Sequence, residues 1–153
     1  MTPEEFEKQL SNMATHIQTA ITNELPEVVG KIAVDFFKEG FQEEGFTDTS
    51  IDKWQEVNRR KPGYKGKGHR TNKILTGGDD LGESIEWKDS APGEVIIYSD
   101  KEYAAAHNEG TTTAGRNRSV TIPKRQFMGH SHELDKQITA EIDKKMKEIL
   151  GNK

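Results

Sequence analysis

The chain contains no cysteine. That excludes a disulfide scaffold, cysteine-ligated zinc, iron–sulfur clusters and cysteine nucleophiles. Apolar residues are scarce: 31% of the 153 positions are hydrophobic, the same share as is charged. One small core is within reach, and much of the chain must be solvated surface or loop. No apolar run approaches the roughly 20 residues of a bilayer-spanning helix. The opening MTPEEFEKQL lacks the basic start and apolar centre of a secretion signal, so a cytoplasmic origin is expected. No G-x-S-x-G elbow is present, and no serine or threonine stands in a recognised nucleophile setting.

Charge is present in blocks. Overall there are 22 basic and 26 acidic residues, a net charge of −4. Residues 1–56 hold 12 acids and 4 bases, whereas residues 57–78 hold 7 bases and no acid. Residues 79–115 turn acidic again, with 9 acids and 2 bases, and residues 116–153 carry 9 bases and 5 acids. Such segregation suits a surface that meets other charged surfaces, although solvated faces and one basic loop would look the same.

The periodicity predicts one domain over 1–153, of α+β class, with N-terminal helices and a C-terminal helix packed on a small antiparallel sheet. Its parts are a helical segment over 1–45, a basic flexible loop over 57–73, a small β-sheet part over 83–123 and a helix over 131–150. Thr2, Pro3 and Glu5 form a helix start with a capping box. Phe6, Leu10, Met13, Ala14, Ile17 and Ile21 then make one apolar stripe. Pro26 breaks or kinks this helix, or starts another. A second stripe, Val29, Ile32, Ala33, Phe36, Phe37 and Phe41, ends near Gly40 and Gly45. Residues 83–88 and 94–99 read as a hairpin around the turn residues 89–93, and 119–122 as a third strand ended by Pro123. Residues 103–108 read as a short helix and 111–118 as a polar loop. Ser131 caps the last helix, whose stripe is Leu134, Ile138, Ile142, Met146 and Ile149.

Candidate chemistry is sparse. His130 and His132 form a His-x-His pair, but no third ligand stands at a recognisable spacing, and His16, His69 and His107 are scattered. Surface or capping histidines, no metal and no cofactor are therefore expected. Asp79, Asp80 and Glu83 follow a Gly-Gly turn and read as turn and capping residues. Gly63, Gly66 and Gly68 alternate with Lys65 and Lys67 beside Tyr64, but they follow no strand and do not match a phosphate-binding loop. A flexible cationic loop remains, with Arg59, Arg60, Lys61, Lys65, Lys67 and Arg70 as interface candidates. Its glycines and like charges predict disorder in the free monomer. Phe36, Phe37 and Phe41 are candidates for a second interface, because a core this small is not expected to hide them.

Four blocks follow one another in a telling order. Gly45-Phe46 leads to Trp54. Ile74, Leu75, Thr76 and Gly77 precede Leu81, Ser84 and Ile85. Tyr103-Ala104 is followed by His107, Asn108 and Gly110. Pro123 is followed by Arg125, Phe127 and Gly129. From about residue 36 to 129 the chain resembles the phage virion morphogenesis family, which includes Mu-type morphogenesis and P2-type tail completion proteins. The second block is similar to that family's L-x-x-T-G-x-L-x-x-S-I, with an insertion after the glycine. The third is similar to Y-A-x-x-H-Q-x-G, with Asn108 for the usual Gln. The fourth is similar to I-P-x-R-P-F-L-G, with Gln126 for the usual Pro. Trp54 and Phe127 are expected to be buried anchors, and none of these residues needs a catalytic role.

The resemblance implies a non-enzymatic structural protein of the phage neck or tail terminus, acting in tail completion and head–tail joining. It implies a ring-forming homo-oligomer, a hexamer by analogy with tails. It further implies neighbours among neck, tail or connector proteins, contact with packaged DNA, no membrane, and a place in the virion after assembly in host cytoplasm. The alternative from the residues alone is a small nucleic-acid-binding or nuclease-like accessory domain using the basic 59–73 loop.

Overall fold

The structure, a computed structural model, describes residues 1–66, 71–78 and 80–151. The α+β class is as expected. Helices α1 (Pro3–Thr19) and α2 (Leu25–Glu43) open the chain, and α5 (His132–Leu150) closes it. Between them lie β1 (Gly45–Thr47), β2 (Ile51–Lys53), a 3-10 turn (Asn58–Arg60), α3 (Asp80–Glu83), β3 (Ile85–Ala91), β4 (Glu94–Ser99), α4 (Ala104–Glu109), β5 (Thr111–Ala114) and β6 (Val120–Ile122). No helix among the described residues is long and apolar enough to cross a membrane.

The capping box of α1 is formed: Thr2 Oγ1 accepts from the Glu5 N–H, and the Glu5 carboxylate accepts from the Thr2 N–H at 2.7 Å. Pro26 starts another helix: it stands in the first turn of α2, where its missing N–H costs nothing, and a π-helical turn, Ala20–Glu24, joins α1 to α2. Helix α2 passes through Gly40 and ends at Glu44, which takes the left-handed conformation at φ 53°.

The expected sheet is divided. Among the described residues the strands form three separate antiparallel ladders, β1–β2, β3–β4 and β5–β6. The hairpin β3–β4 extends further than its alternation indicated, so residues 89–91 belong to the strand. Residues 111–114, expected as polar loop, form β5 and pair with β6. Neither β1 nor β2 was expected. Each is only three residues long, too short to display alternation.

The core sits between α2, the β3–β4 hairpin and α5. Phe41 meets Trp54 edge to face at 5.4 Å and Phe127 at 5.3 Å, while Phe37 stacks on Phe46 at 6.5 Å. Ile74, Leu81, Ile85, Ala104 and Leu134 complete it. Gly30 lets the hairpin approach α2: a Cβ there would fall 2.3 Å from the Trp87 ring. The helix gives up roughly 1 kcal/mol of propensity at this position in exchange for the indole contact.

Candidate functional site

The family-like blocks converge on one side of this core. Trp54, buried, donates its indole N–H to the Gln126 carbonyl at 2.7 Å. Arg125, also buried, donates from Nε and Nη2 to the Gln55 carbonyl at 3.2 and 3.1 Å. The Arg125 N–H donates to the His107 carbonyl at 2.8 Å. Asn108 Oδ1 accepts from the N–H groups of both Phe127 and Met128, at 2.9 and 3.0 Å. The shorter amide standing for the family's usual Gln is therefore engaged with the backbone. Three chain segments, 54–55, 107–108 and 125–128, are tied together, and Phe127 is seated at 1% exposure. Both expected anchors, Trp54 and Phe127, are buried.

The second block builds the turn into the hairpin. Leu75 takes a left-handed φ of 61° and packs against the core. Leu81 and Ile85 are buried, and Gly77 is exposed. Ser84 Oγ donates to the Leu81 carbonyl at 2.7 Å and lies 2.6 Å from Ser99 Oγ, joining α3 to the end of β4. Ala104 is buried at the start of α4, and the exposed Tyr103 ring meets the His107 ring edge to face at 6.0 Å. Gly110 holds a φ of 75°, and a Cβ there would meet the Lys124 nitrogen at 2.8 Å. Pro123 follows β6 half-buried, and Gly129 is exposed before α5.

The electrostatics of this cluster are those of a clamp. Burial and the neighbouring Arg125 push His107 below its ordinary value, and its buried Nδ1 has no hydrogen-bond partner. Burial, then the nearby Arg59, pushes Arg125 down as well, with Glu56 opposing. The guanidinium stays charged and is satisfied by a backbone carbonyl. His107 has the features of a neutral packing residue, with neither a base partner nor an adjacent nucleophile shown.

Two groups of interface candidates need correction. Phe37 and Phe41 are 6% and 3% exposed within the chain itself, and Phe36 packs partly buried against them. The expected exposed phenylalanine patch is absent, because β1, Trp54 and Phe127 cover it. The basic loop is tethered at its base, on either side of residues 67–70, which lie outside the described residues. Arg59 Nη2 donates to the Asn72 and Lys73 carbonyls at 2.9 and 2.8 Å. Arg60 donates to Asn72 at 2.8 Å and forms a two-pronged pair with Glu44, its Nη1 lying 2.9 Å from Oε2. Glu44 also accepts from the Ile74 N–H at 2.9 Å. The Arg60 guanidinium, with help from Ile74 and against burial, holds the Glu44 carboxyl at about 2, far below 4.5. Lys61 and Lys65 are exposed, while Lys67 and Arg70 lie outside the described residues.

The free apolar surface lies elsewhere, on α1. None of its residues is buried, and Phe6, Leu10 and, just beyond it, Ile21 are 52%, 50% and 40% exposed. This stripe leads into an apolar groove of about 340 Å³ between α2, the hairpin tip and α5, lined by Ile21, Leu25, Val29, Val95, Ile138 and Met146 among others. The stripe itself was legible in the sequence, but the exposure of its first half was not.

The chain belongs to the phage virion morphogenesis family, whose model matches residues 6–147. Comparison with curated proteins and with solved structures found no match. Family membership supports a structural or morphogenetic role in the phage particle.

Proposed function

We propose that the protein acts at the neck or tail terminus, completing the tail and joining it to the head as one subunit of a homo-oligomeric ring. The observation that carries this reading is the exposed first half of the α1 stripe, Phe6 and Leu10, since Met13 and Ile17 are half-buried and α1 packs against α5. Phe6 and Leu10 sit three to four residues from the next apolar positions of an amphipathic helix and have little reason to stand in water. A second copy of the chain is a suitable cover. Glu4, Glu5 and Glu7 flank the stripe, and the exposed Lys136, Lys144 and Lys147 of α5 lie on the element that lines the groove. An acidic helix of one subunit against the lysine-bearing helix of the next gives a head-to-tail contact, the kind that forms a ring when its rotation closes. A hexamer, matching the symmetry of tails, is the form this reading favours. Neighbouring neck, tail or connector proteins would meet the remaining charged faces, within the virion.

The nucleic-acid reading loses support from Arg59 and Arg60, which are engaged in internal bonds. The test is mass against concentration by sedimentation equilibrium in the analytical ultracentrifuge, paired with complementation of a phage lacking this gene. Phe6→Ser with Leu10→Ser should leave the fold intact, lower the oligomer mass and abolish joined particles. A wild-type protein that stays monomeric at every concentration and in the presence of tails would sink the proposal.

A further inference from the structure

The loop between β1 and β2 and the segment leading into α5 are distant in sequence but meet in space. Ser131 Oγ donates to the Thr47 carbonyl at 2.7 Å, and the Glu133 N–H donates to the Asp48 carbonyl at 3.0 Å. The His132 N–H donates to Asp48 Oδ1 at 2.8 Å. These bonds fix the Asp48 carboxylate beside two imidazoles. Asp48 Oδ1 lies 2.6 Å from His132 Nδ1, and the His130 and His132 rings meet edge to face with centroids 4.9 Å apart. One ligand atom from each of Asp48, His130 and His132 lies within 4.8 Å of the other two. Asp135 Oδ2 stands 2.9 Å from His130 Nε2.

We propose that Asp48, His130 and His132 form a binding site for a divalent transition metal, best suited to Zn²⁺, with Asp135 as the carboxylate that positions His130. The donor set is two imidazoles and one carboxylate, the chemistry of open zinc sites. A zinc ion with bonds of about 2.0–2.1 Å spaces its ligands about 3.3 Å apart, so the three groups need only small rotations to surround one. The ion coordinates His132 through the lone pair of Nδ1, with the ring neutral and its proton on Nε2.

All three side chains reach solvent, at 48% to 68% exposure, so water completes the coordination. The positive end of the α5 dipole opposes a cation at this point, and Asp48, Glu133 and Asp135 counter it. The backbone bonds at 47–48 and 131–133 pre-form the site, which lowers the ordering cost of binding. A bound ion would pin the β1–β2 loop to the start of α5.

The experiment is calorimetric titration of the full chain with ZnCl₂ after chelator treatment, with histidine ring signals followed by NMR. One zinc per chain is expected, shifting the rings of His130 and His132 but not that of His16. Asp48→Asn and His130→Ala should each weaken binding by about tenfold or more, and Asp135→Asn should weaken it less. The His130 side chain is 68% exposed and its contacts with Asp135 and His132 are made through the ring, so His130→Ala tests the site in a folded chain, checked by circular dichroism. Binding unchanged in the folded His130→Ala protein, or no stoichiometric binding by the wild type, would overturn the proposal.

Discussion

Replacing Gly30 by alanine tests the packing of the hairpin on α2 through the sign of a stability change. In an exposed helix interior this substitution stabilises by about 1 kcal/mol, because glycine has more conformational freedom to lose. Here the added methyl would lie 2.3, 2.5 and 2.7 Å from three atoms of the Trp87 ring. Ordinary contact begins near 3.4 Å, so the indole must retreat by about 1 Å or the hairpin must tilt. Trp87 is fixed by its pairing with Ile97 in the ladder. Overpacking of this kind costs about 1–3 kcal/mol. The net expectation is destabilisation by about 0–2 kcal/mol, or a fall in Tm of up to about 8 °C for a domain of this size. Thermal unfolding by circular dichroism measures it, and Trp87 fluorescence in a Trp54→Phe background reports whether the ring has moved. A rise in Tm would refute the reasoning, since it would mean that the indole swings aside at no cost.

Two further outcomes follow from the core and from the Glu44 pair. Phe127→Ala removes a ring that is 1% exposed and touches Phe41, and should cost about 3–5 kcal/mol by urea denaturation; an unchanged midpoint would remove Phe127 from the core. Glu44, held at about 2 in the fold against 4.5 when unfolded, stabilises the fold fully above pH 4.5 and loses that contribution as pH falls towards 2. Full conversion of that difference gives roughly 3 kcal/mol, which solvent screening of a pair with about a fifth of each side chain exposed reduces to about 1–2 kcal/mol. Glu44→Gln should therefore lower stability at neutral pH by that amount and flatten the acid limb of the stability curve; an identical acid limb in both proteins would contradict the assignment.

What the sequence made legible was local. Thr2, Pro3 and Glu5 announce α1 because a capping box lies within four residues. Ser131 and the stripe from Leu134 announce α5, and the β-branched run 94–99 announces the hairpin. The features that escaped depend on partners far along the chain. Phe37 and Phe41 looked surplus because β1, which covers them, is too short to show a pattern. Arg60 looked like a free cation because Glu44, 16 residues earlier, has no spacing rule that marks it as a partner. Asp48 joins His132 across 84 residues, a separation no motif describes. The family-like blocks bridged part of this gap: Trp54, His107, Arg125 and Phe127 were singled out by their order, and the structure ties them into one clamp.

The bonds from 47–48 to 131–133 carry a consequence for how the molecule comes into being. The start of α5 is anchored by residues made 84 positions earlier, and Leu134 fills the core between them. During synthesis, α1, α2 and both β1 and β2 leave the ribosome well before α5 exists. Until then the groove that receives Leu134 and Ile138 stands open. Closing such a long loop is the slow, entropically costly step, and the nascent chain is most prone to sticking to its neighbours while it waits. The last helix thus acts as a latch that completes the core only after the elements it closes upon have been made.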